Sequence, residues 1–495
     1  MSKKNVVIIG GGLGGLMTGA LLSKEGYKVS VFEKHHNIGG GLQSYKRFGT
    51  TFDTGMHVFG GMHEGGNIRR ICDYLEIIDD FKYLNVDEKA CLSLFVASDN
   101  RSYDINVGST GFIDSLSSYF PNEKEHITEY VSALYKIMGE LDLFYLKEIT
   151  HNLFDHSEEY NLSVNDFLDK YIKDEKLKSI IACINTLYAG EKGISPSYLH
   201  AAISMIFLNG ACRIVGGYSH FADALVNVIR KYDGTVTTNS EVKHIKISEG
   251  KFQSIILANN KEIKGDYCVS AIPPTLMLQM VDDNHVFSNA YKKSLKDRND
   301  SLSAFVVNIK LKSHRLKFFN QIKFYYSDYD SAWKSSDGDS IDKFMYMTPP
   351  DENQDEWART LSVTALMRWE PVKEWENTKC GHRGDKYYSW KEMLCNNILE
   401  KLDKVIPDFR EMVEYIDSAS PLTIRDYTSV RHGAMCGNRN ECNNLFNSFL
   451  PVKTKVENLL LTGQSNNMHG FCGVSLTAVQ TAEAILGANY LIDRL

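Results

Sequence analysis

The N-terminal stretch Val6-Val7-Ile8-Ile9-Gly10-Gly11-Gly12-Leu13-Gly14-Gly15 decides the fold of this chain. Its first four residues form a continuous apolar run, which is typical of a buried parallel strand. The glycines that follow have the spacing G-x-G-x-x-G. Apolar residues then recur with the periodicity of one helix face, at Leu13, Leu16, Met17, Ala20 and Leu21. The pattern therefore predicts a strand that turns through glycines into a buried helix.

A second predicted strand, 29–32, ends at the acidic residue Glu33. In this arrangement Gly10 permits a tight turn, Gly12 lets the backbone approach a pyrophosphate, and Gly15 lets helix and strand pack closely. The free N–H groups of the first helical turn attract phosphate. A carboxylate at Glu33 accepts hydrogen bonds from an adenosine ribose, and it favours FAD or NAD over NADP. We predict a dinucleotide site; the alternative is a glycine-rich turn in an α/β domain that holds no nucleotide.

The composition indicates a globular protein of two or three domains. The chain has 495 residues, 43% of them hydrophobic and 24% charged, with a formal net charge of −7. No block of like charge is present, so nucleic acid is not expected as a partner. No apolar run is long enough for a bilayer; the nearest, 201–212, suits a buried helix.

The first residues and the cysteines predict the compartment. Met1-Ser2-Lys3-Lys4 leads directly into the first strand and leaves no room for a signal peptide. The ten cysteines are scattered, without CxxC pairs or metal-ligand spacing. We expect a cytoplasmic protein with reduced thiols and no metal site.

A second glycine cluster, Gly39-Gly40-Gly41-Leu42-Gln43, follows the acid, and Phe52-Asp53-Thr54-Gly55-Met56-His57 comes shortly after it. With these motifs the sequence resembles the FAD-binding half of the flavoprotein amine oxidase and phytoene desaturase superfamily. The fuller form F-D-T-G-x-H is most similar to the group that contains all-trans-retinol 13,14-reductase (retinol saturase) and the carotenoid isomerases. The resemblance implies that the glycine doublet lies along the FAD pyrophosphate and ribityl chain. It places the D-T-G-x-H segment near the isoalloxazine ring.

Two later segments extend the resemblance. Gly216-Gly217-Tyr218 opens a predicted helix, and strands at 235–238, 241–247, 253–258 and 267–271 are expected to form one small sheet after it. The resemblance implies that the backbone of Val242 contacts the adenine. At the C-terminus, the run 459–461 predicts a buried strand, Thr462-Gly463-Gln464 a turn, and the stripe from Val474 a terminal helix that meets the ribityl and pyrimidine side of the flavin.

The residues predicted to bind FAD come from all of these motifs. They are Gly10, Gly12, Leu13, Gly14, Gly15, Glu33, Lys34, Gly40, Gly41, Leu42, Gln43, Met56, His57, Val242, Gly463, Gln464, Gly473 and Val474.

The expected architecture is an α/β, glutathione-reductase-type, two-part Rossmann-like FAD domain with two insertions. The FAD domain is assigned to residues 1–110, 212–275 and 456–495, a helical cap to 111–211, and an α+β substrate domain to 276–455. The cap is expected to cover a substrate tunnel, although helices that simply pack on each other give the same pattern. One cap helix is predicted to bury Ile127, Val131, Leu134, Tyr135, Met138 and Leu141 on one face.

The second insertion is rich in aromatic residues and holds two further motifs. The aromatics either line an apolar tunnel or form sheet core: Phe318, Phe319, Phe324, Tyr325, Tyr326, Trp333, Tyr346, Trp357 and Trp369. The segment 421–427 resembles the family's tP-x-T loop. In the later G-x-x-y-G turn, Cys436 stands where an aromatic residue is usual.

The chemistry implied by the resemblance is hydride transfer at flavin N5, in which the protein mainly binds, orients and excludes water. His57, beside the predicted flavin, is the first candidate for an acid or for a hydrogen bond to the ring. Arg431 and His469 are further candidates. Each of the three has a purely structural alternative.

The leading hypothesis is an FAD-dependent oxidoreductase that saturates, desaturates or isomerises C=C bonds of an apolar, isoprenoid- or polyene-like substrate. One fingerprint is present and a second nicotinamide domain is not apparent, so we expect an external quinone, oxygen or nicotinamide as electron partner. A lipid-resident substrate would bring the protein to the inner face of a membrane as a peripheral protein. The alternatives are an amine oxidase-type flavoenzyme and a lipid-binding carrier on the same fold. Neither the substrate nor the oligomeric state follows from the sequence.

Overall fold

The computed structural model describes residues 3–151, 155–282 and 285–495. The strands, numbered in chain order, are β1 Asn5–Ile9, β2 Lys28–Phe32, β3 Ser44–Arg47, β4 Thr50–Asp53, β5 Tyr83–Asn85, β6 Leu92–Val96, β7 Arg101–Ile105, β8 Cys212–Ile214, β9 Thr235–Thr237, β10 Val242–Ser248, β11 Lys251–Leu257, β12 Glu262–Lys264, β13 Tyr267–Ser270, β14 Ser303–Leu311, β15 Ile322–Tyr326, β16 Lys343–Met347, β17 Thr360–Met367, β18 Val413–Ala419 and β19 Leu459–Leu461. The α-helices are α1 Leu13–Lys24, α2 Asn67–Leu75, α3 Ser109–Tyr119, α4 Lys124–Met138, α5 Val164–Tyr171, α6 Glu175–Ile181, α7 Ser197–Leu208, α8 Ser219–Lys231, α9 Pro274–Met280, α10 Asn289–Lys296, α11 Asp385–Asp403, α12 Phe409–Met412, α13 Pro421–Thr428, α14 Leu445–Ser448 and α15 Gly470–Leu486.

A parallel sheet in the order β19-β13-β1-β2-β9 is the centre of the first domain. Alternate residues of β1 pack into two different hydrophobic cores, because successive side chains along a strand point to opposite faces of the sheet. Val6 and Ile8 pack with helices α1, α8 and α15, whereas Val7 and Ile9 pack with strands β10 and β11. Both faces are therefore covered, which explains the continuous apolar run. The predicted Rossmann-like α/β fold is confirmed.

The expectation of one small sheet between residues 235 and 271 was wrong. β9 and β13 belong to the parallel sheet, at its edge and beside β1, whereas β10, β11 and β12 form a separate antiparallel sheet. Strand periodicity is the same for both sheets, so the local pattern could not distinguish the partners.

A second, mixed sheet has the order β18-β14-β17-β16-β15-β6-β7 within the described residues. Its strand β6 pairs in parallel with β15, and β7 forms an antiparallel edge. These two strands were expected in the first part of the FAD domain, which was drawn to residue 110. The pairing joins residues more than 200 positions apart, a distance over which no local pattern acts.

The helices α3 to α7 surround a common core with β6, β7 and β15 and form the cap. In α4, Tyr130 and Ile137 are buried, whereas Tyr135, which was predicted on the buried face, is 39% exposed. The other five residues predicted on this face are buried: Ile127, Val131, Leu134, Met138 and Leu141. Tyr135 departs from the stripe and forms a hydrogen bond with the Ser109 hydroxyl near the surface.

The structure shows whether the aromatic residues of the second insertion form sheet core or line a tunnel. Of the aromatic residues of the second insertion, Phe324, Tyr325, Tyr326 and Tyr346 are buried in the mixed sheet, so these side chains belong to the core and do not line a tunnel.

The segment expected as a loop at 421–427 is helix α13, in which a proline at the first position and a capping box at Ser420 start the helix. No helix among the described residues is long and apolar enough to cross a membrane.

Candidate cofactor and substrate site

Glycines from three distant segments meet at the carboxyl edge of the parallel sheet. A Cβ atom on Gly40 would lie 3.1 Å from the Cα atom of Gly12, and one on Gly14 would lie 3.1 Å from the Cα and N atoms of Gly463. Gly39 N–H donates to the Gly11 carbonyl at 2.7 Å. The backbones approach so closely that side chains would fill the cleft, which is the geometry that a pyrophosphate needs.

Glu33 lies beside this cleft and is 8% exposed. Its carboxylate accepts one hydrogen bond from Gly11 N–H at 2.7 Å and one from His35 N–H at 2.9 Å. These two donors fix the carboxylate, and its remaining lone pairs can accept ribose hydroxyl groups. The predicted role of Glu33 therefore fits the local geometry.

Two helix N-termini point into the same region. α1 follows Gly12 and α15 follows His469, and in neither does a side chain cap the first-turn N–H groups. These donors remain available to a ligand. α15 begins at Gly470, four residues before Val474, because Phe471 packs against Phe59 and Phe221 and extends the helix.

The other predicted cofactor residues are placed as follows. Leu42 is buried next to the glycine cleft, and Gln43 Nε2 donates to the Asn37 carbonyl at 3.2 Å. Val242 is the buried first residue of β10. Lys34 is exposed, and its Nζ donates to Ser429 Oγ, so the structure ties this side chain to the end of α13 rather than to the cleft.

An apolar cavity adjoins the glycine segments and encloses about 910 Å³ of empty space, some of it open to solvent. One half of its lining comes from the predicted flavin segments: Gly55, Met56, His57, Val58, Phe59, Met468, His469, Gly470, Phe471, Cys472 and Gly473. The other half comes from the two insertions: Phe144, Thr186, Leu187, Leu199, Ala202, Ile203, Ile206, Met345, Thr364 and Met435. The cavity thus lies between the predicted cofactor and the two insertions.

Two of the three candidate catalytic residues reach this cavity. His57 and His469 are 8% and 7% exposed, and burial lowers the pKa of each imidazole to about 4. The positive charge of Arg213 lowers the His57 pKa further. Both rings are therefore neutral at neutral pH. His469 Nε2 is buried without a hydrogen-bond partner in the described structure.

Arg431 does not reach the cavity. Its guanidinium binds the Asp300 carboxylate, with Nε at 2.6 Å, and donates to the backbone carbonyls of Lys296 and Arg298. The side chain holds the loop before Gly433 against the end of α10, so its contacts are those of a structural residue.

Sequence reasoning missed the buried Arg213, which interacts electrostatically with His57 and Asp53. Arg213 is 1% exposed, its Nη2 donates to the Thr348 carbonyl at 2.8 Å, and burial lowers its pKa to about 10. The pKa of Asp53 is raised by burial, although this carboxylate accepts from Ser44 Oγ at 2.7 Å and from Tyr218 N–H at 3.1 Å. Asp53 stood in the F-D-x-G motif, but no signal marked Arg213, which follows an apolar helix.

The residues present fit FAD. The oriented Glu33 suits the adenosine ribose, the glycine cleft and the uncapped N-terminus of α1 suit the pyrophosphate, and the uncapped N-terminus of α15 suits the flavin half. The described residues contain no group of His, Cys, Asp and Glu that could hold a metal ion.

The fold and the site are those of a dinucleotide-binding oxidoreductase. Residues 8–75 match the model of an NAD(P)-binding Rossmann-like domain. The chain is 24% identical, over 99% of its length and 87% of the relative's, to all-trans-retinol 13,14-reductase from Danio rerio. It is 28% identical, over 63% of its length and 61% of the relative's, to a 4,4′-diapophytoene desaturase from a Methylomonas species.

Solved structures share the fold. An oxidoreductase from Methanosarcina mazei is 18% identical, with a TM-score of 0.65 over 97% of this chain and 100% of its own. Wild-type putrescine oxidase bound to putrescine is 12% identical, with a TM-score of 0.64 over 98% of this chain and 99% of its own. The predicted resemblance to the retinol saturase and phytoene desaturase group is confirmed, as is the prediction of an oxidoreductase.

Proposed function

We propose that the protein saturates, desaturates or isomerises C=C bonds of an apolar, isoprenoid- or polyene-like substrate, with FAD as its cofactor. The observation that carries this proposal is the apolar cavity that adjoins the predicted flavin segments. Its walls are mostly Met, Phe, Leu, Ile and Ala side chains, which suit a hydrocarbon chain and not an ion. The relatives named for retinol reduction and diapophytoene desaturation support the same reaction class.

Bound FAD would supply hydride acceptance and donation at its N5 atom. The chain's own residues bind and orient it: the glycine cleft takes the pyrophosphate, Glu33 the ribose, and the first turn of α15 the pyrimidine side. N–H groups at a helix N-terminus stabilise negative charge, so α15 favours the reduced, anionic ring. Apolar side chains of the two insertions form the opposite wall of the cavity, and such a wall disfavours water beside the ring.

His57 acts as a hydrogen-bonding group in this proposal. A side chain with a pKa of about 4 is almost entirely deprotonated at neutral pH, so it is a poor proton donor in the form of imidazolium. The neutral ring still offers one N–H donor and one acceptor. Of the two roles predicted for His57, the structure supports the hydrogen bond near the flavin. His469, with the same environment, is proposed for the same kind of contact.

The amine oxidase alternative requires an aromatic cage and a lysine near flavin N5. The described cavity lining contains three phenylalanines but no Lys, Tyr or Trp residue. The likeness to putrescine oxidase, at 12% identity, concerns the fold. A lipid-binding carrier without a nucleotide would need neither the glycine cleft nor the fixed Glu33 carboxylate, so these features favour the flavoenzyme.

The test is an absorbance spectrum of the purified protein, followed by anaerobic dithionite reduction and reoxidation. We expect flavin bands, release of FAD on denaturation, and reoxidation by an enone or polyene if the enzyme saturates its substrate. Reoxidation by oxygen or quinone but not by a polyene indicates the desaturase direction and identifies the electron acceptor. A colourless protein that takes up no added FAD would refute the proposal in favour of the carrier.

A further inference from the structure

One side chain of a surface segment reaches the cavity. The 3-10 segment Asp142–Tyr145 follows helix α4, and none of its four residues is buried. Phe144, its third residue, nevertheless lines the cavity. The residues that come shortly after it, 147–150, are all exposed. The cavity therefore approaches the protein surface at this point, and the Phe144 ring lies between the two.

The backbone that carries Phe144 is anchored to the FAD domain. Asn67 of α2 is 5% exposed, and its Nδ2 donates to the Phe144 carbonyl at 2.9 Å. Arg70 of the same helix donates from Nη1 to the Tyr145 carbonyl at 2.8 Å. The next residue, Leu146, is buried in the core that α1, α2 and α15 share. These contacts fix the chain on both sides of the ring.

A carboxylate closes the same segment into a loop. Asp142 Oδ2 accepts hydrogen bonds from Thr150 N–H at 2.7 Å, from Thr150 Oγ1 at 2.9 Å and from His151 N–H at 3.0 Å. Inside this loop the Phe144 ring packs against both the cap core and the FAD-domain core, and it meets the Tyr145 ring edge-on at 5.3 Å between centroids. The ring is therefore a fixed part of the cavity wall.

We propose that Phe144 is a specificity-determining residue that limits the length of the substrate chain. A hydrocarbon chain that extends from the predicted flavin segments towards this surface meets the ring before it reaches solvent. Because protein interiors are closely packed, such a chain must end before the ring or displace it. This inference rests on the proposed function, since it takes the cavity as the substrate site, and it adds chain length to the definition of the substrate class.

The test measures how affinity depends on chain length. The probes are linear all-trans polyisoprenoid hydrocarbons that differ only in their number of isoprene units. Dissociation constants are measured from the change in flavin absorbance of the FAD-loaded protein, without turnover. In the native protein we expect the affinity to increase with length and then to stop increasing, at the length at which the chain reaches Phe144.

In Phe144→Ala the affinity should continue to increase beyond this length, while FAD content and the affinity for shorter probes stay unchanged. The first probe beyond the native limit should bind about tenfold more tightly than it binds the native protein, as burial of about two more methylene groups implies. Phe144→Leu, a milder truncation, should move the limit in the same direction by less. Asn67→Asp replaces the donor to the Phe144 carbonyl by an acceptor and should also relax the limit.

Leu143→Ala is the matched control. Leu143 lies in the same 3-10 segment and packs against the FAD-domain core, but it is not among the described residues that line the cavity. This variant should keep the native length limit. If Leu143→Ala relaxes the limit as much as Phe144→Ala does, the effect belongs to the segment and the role of the ring is overturned.

The other outcomes separate this inference from the proposed function. A native affinity that increases with every added unit, or a limit that Phe144→Ala and Phe144→Leu leave unchanged, would overturn the role of Phe144 and leave the proposed function intact. Loss of FAD from Phe144→Ala would assign the ring to the cofactor and overturn the inference as well. If no probe changes the flavin spectrum, the proposed function and this inference are both overturned.

Discussion

Burial sets the charge of the residues around the cavity. His57 and His469 contact little solvent, and desolvation disfavours their charged forms. Arg213 is buried close enough to oppose a second positive charge at His57, and Asp53 partly balances it. The site is therefore a neutral, apolar space with fixed charges behind it, which suits an apolar substrate.

The lowered pKa of His57 predicts a pH dependence of stability. The unfolded chain protonates this residue near its ordinary value of 6.5, whereas the folded chain does so near 4. Its contribution to the free energy of unfolding is therefore complete above pH 6.5 and is lost as the pH falls from 6.5 to 4. The full effect is about 3 kcal/mol at most. We expect His57→Gln to lose less stability than the native chain between pH 7 and pH 4.5 in urea unfolding.

The control for this prediction is His36→Gln, which changes an exposed histidine. It should follow the pH dependence of the native chain. A His57→Gln curve parallel to the native one would show that His57 does not remain neutral in the folded state.

At the scale of elements, helix α1 carries both the packing and the phosphate site. It lies between α8 and α15 and against the parallel sheet, and almost every residue is buried. Two glycines of α1 contact different parts of the fold. Gly14 lies against the backbone of the C-terminal turn, whereas Gly19 lies against the ends of the Ile8 and Ile229 side chains.

We predict that substitution by alanine is tolerated at Gly19 but not at Gly14. A Cβ atom on Gly14 would lie 3.1 Å from backbone atoms of Gly463, which cannot move without shifting the cleft, so Gly14→Ala should lower both FAD content and stability. A Cβ atom on Gly19 would meet the Cδ1 atoms of Ile229 and Ile8 at 3.1 and 3.2 Å, and these can rotate away. Alanine also favours helix by about 1 kcal/mol. Gly19→Ala should therefore keep FAD and change the free energy of unfolding by about 1 kcal/mol or less.

Flavin absorbance per protein and thermal unfolding measure the two effects. Retention of FAD by Gly14→Ala together with native stability would contradict the close approach of α1 to the C-terminal turn.

At the scale of the whole molecule, the cofactor site is assembled from segments at both ends of the chain. In chain order the first and last strands of the parallel sheet, β1 and β19, lie near the two termini, and a polar contact joins the mixed sheet to β3, the strand that follows the second glycine cluster. Asn308 Nδ2 donates to the Tyr45 hydroxyl at 3.0 Å, and Ser362 Oγ donates to Asn308 Oδ1 at 2.8 Å. A ligand that bridges these segments should stabilise the entire fold.

We therefore predict that FAD raises the thermal stability of the cofactor-free protein. A ligand that binds only the folded chain adds about 2.7 kcal/mol at a hundred times its dissociation constant. FMN, which lacks the adenosine half, cannot reach Glu33 and should stabilise much less. Glu33→Gln should weaken FAD binding about ten- to a hundredfold, since a charged hydrogen-bond acceptor is lost.

Melting curves with FAD or FMN over a range of concentrations make the comparison, and Glu76→Gln, at an exposed carboxylate, is the control. Equal stabilisation by the two flavins would show that the adenosine half is not bound at Glu33.

The sequence by itself determined the dinucleotide-binding unit. The motif from Val6 to Gly15 and the acid Glu33 lie within a few tens of residues of each other. Their strand pattern, glycine spacing and terminal carboxylate could therefore be recognised from the local sequence, and together they imply a dinucleotide ligand. His57 and His469 were also found from sequence, because each stands beside a cofactor motif.

The tertiary structure alone decided what lies across the cavity. The pairing of β6 with β15, the contact of the buried Arg213 with Thr348, and the lining of one cavity by both insertions all join residues far apart in the chain. Local periodicity shows that a side chain is buried but not which segment covers it. The same limit explains why Arg431 seemed a candidate, since only the folded chain brings Asp300 to its guanidinium.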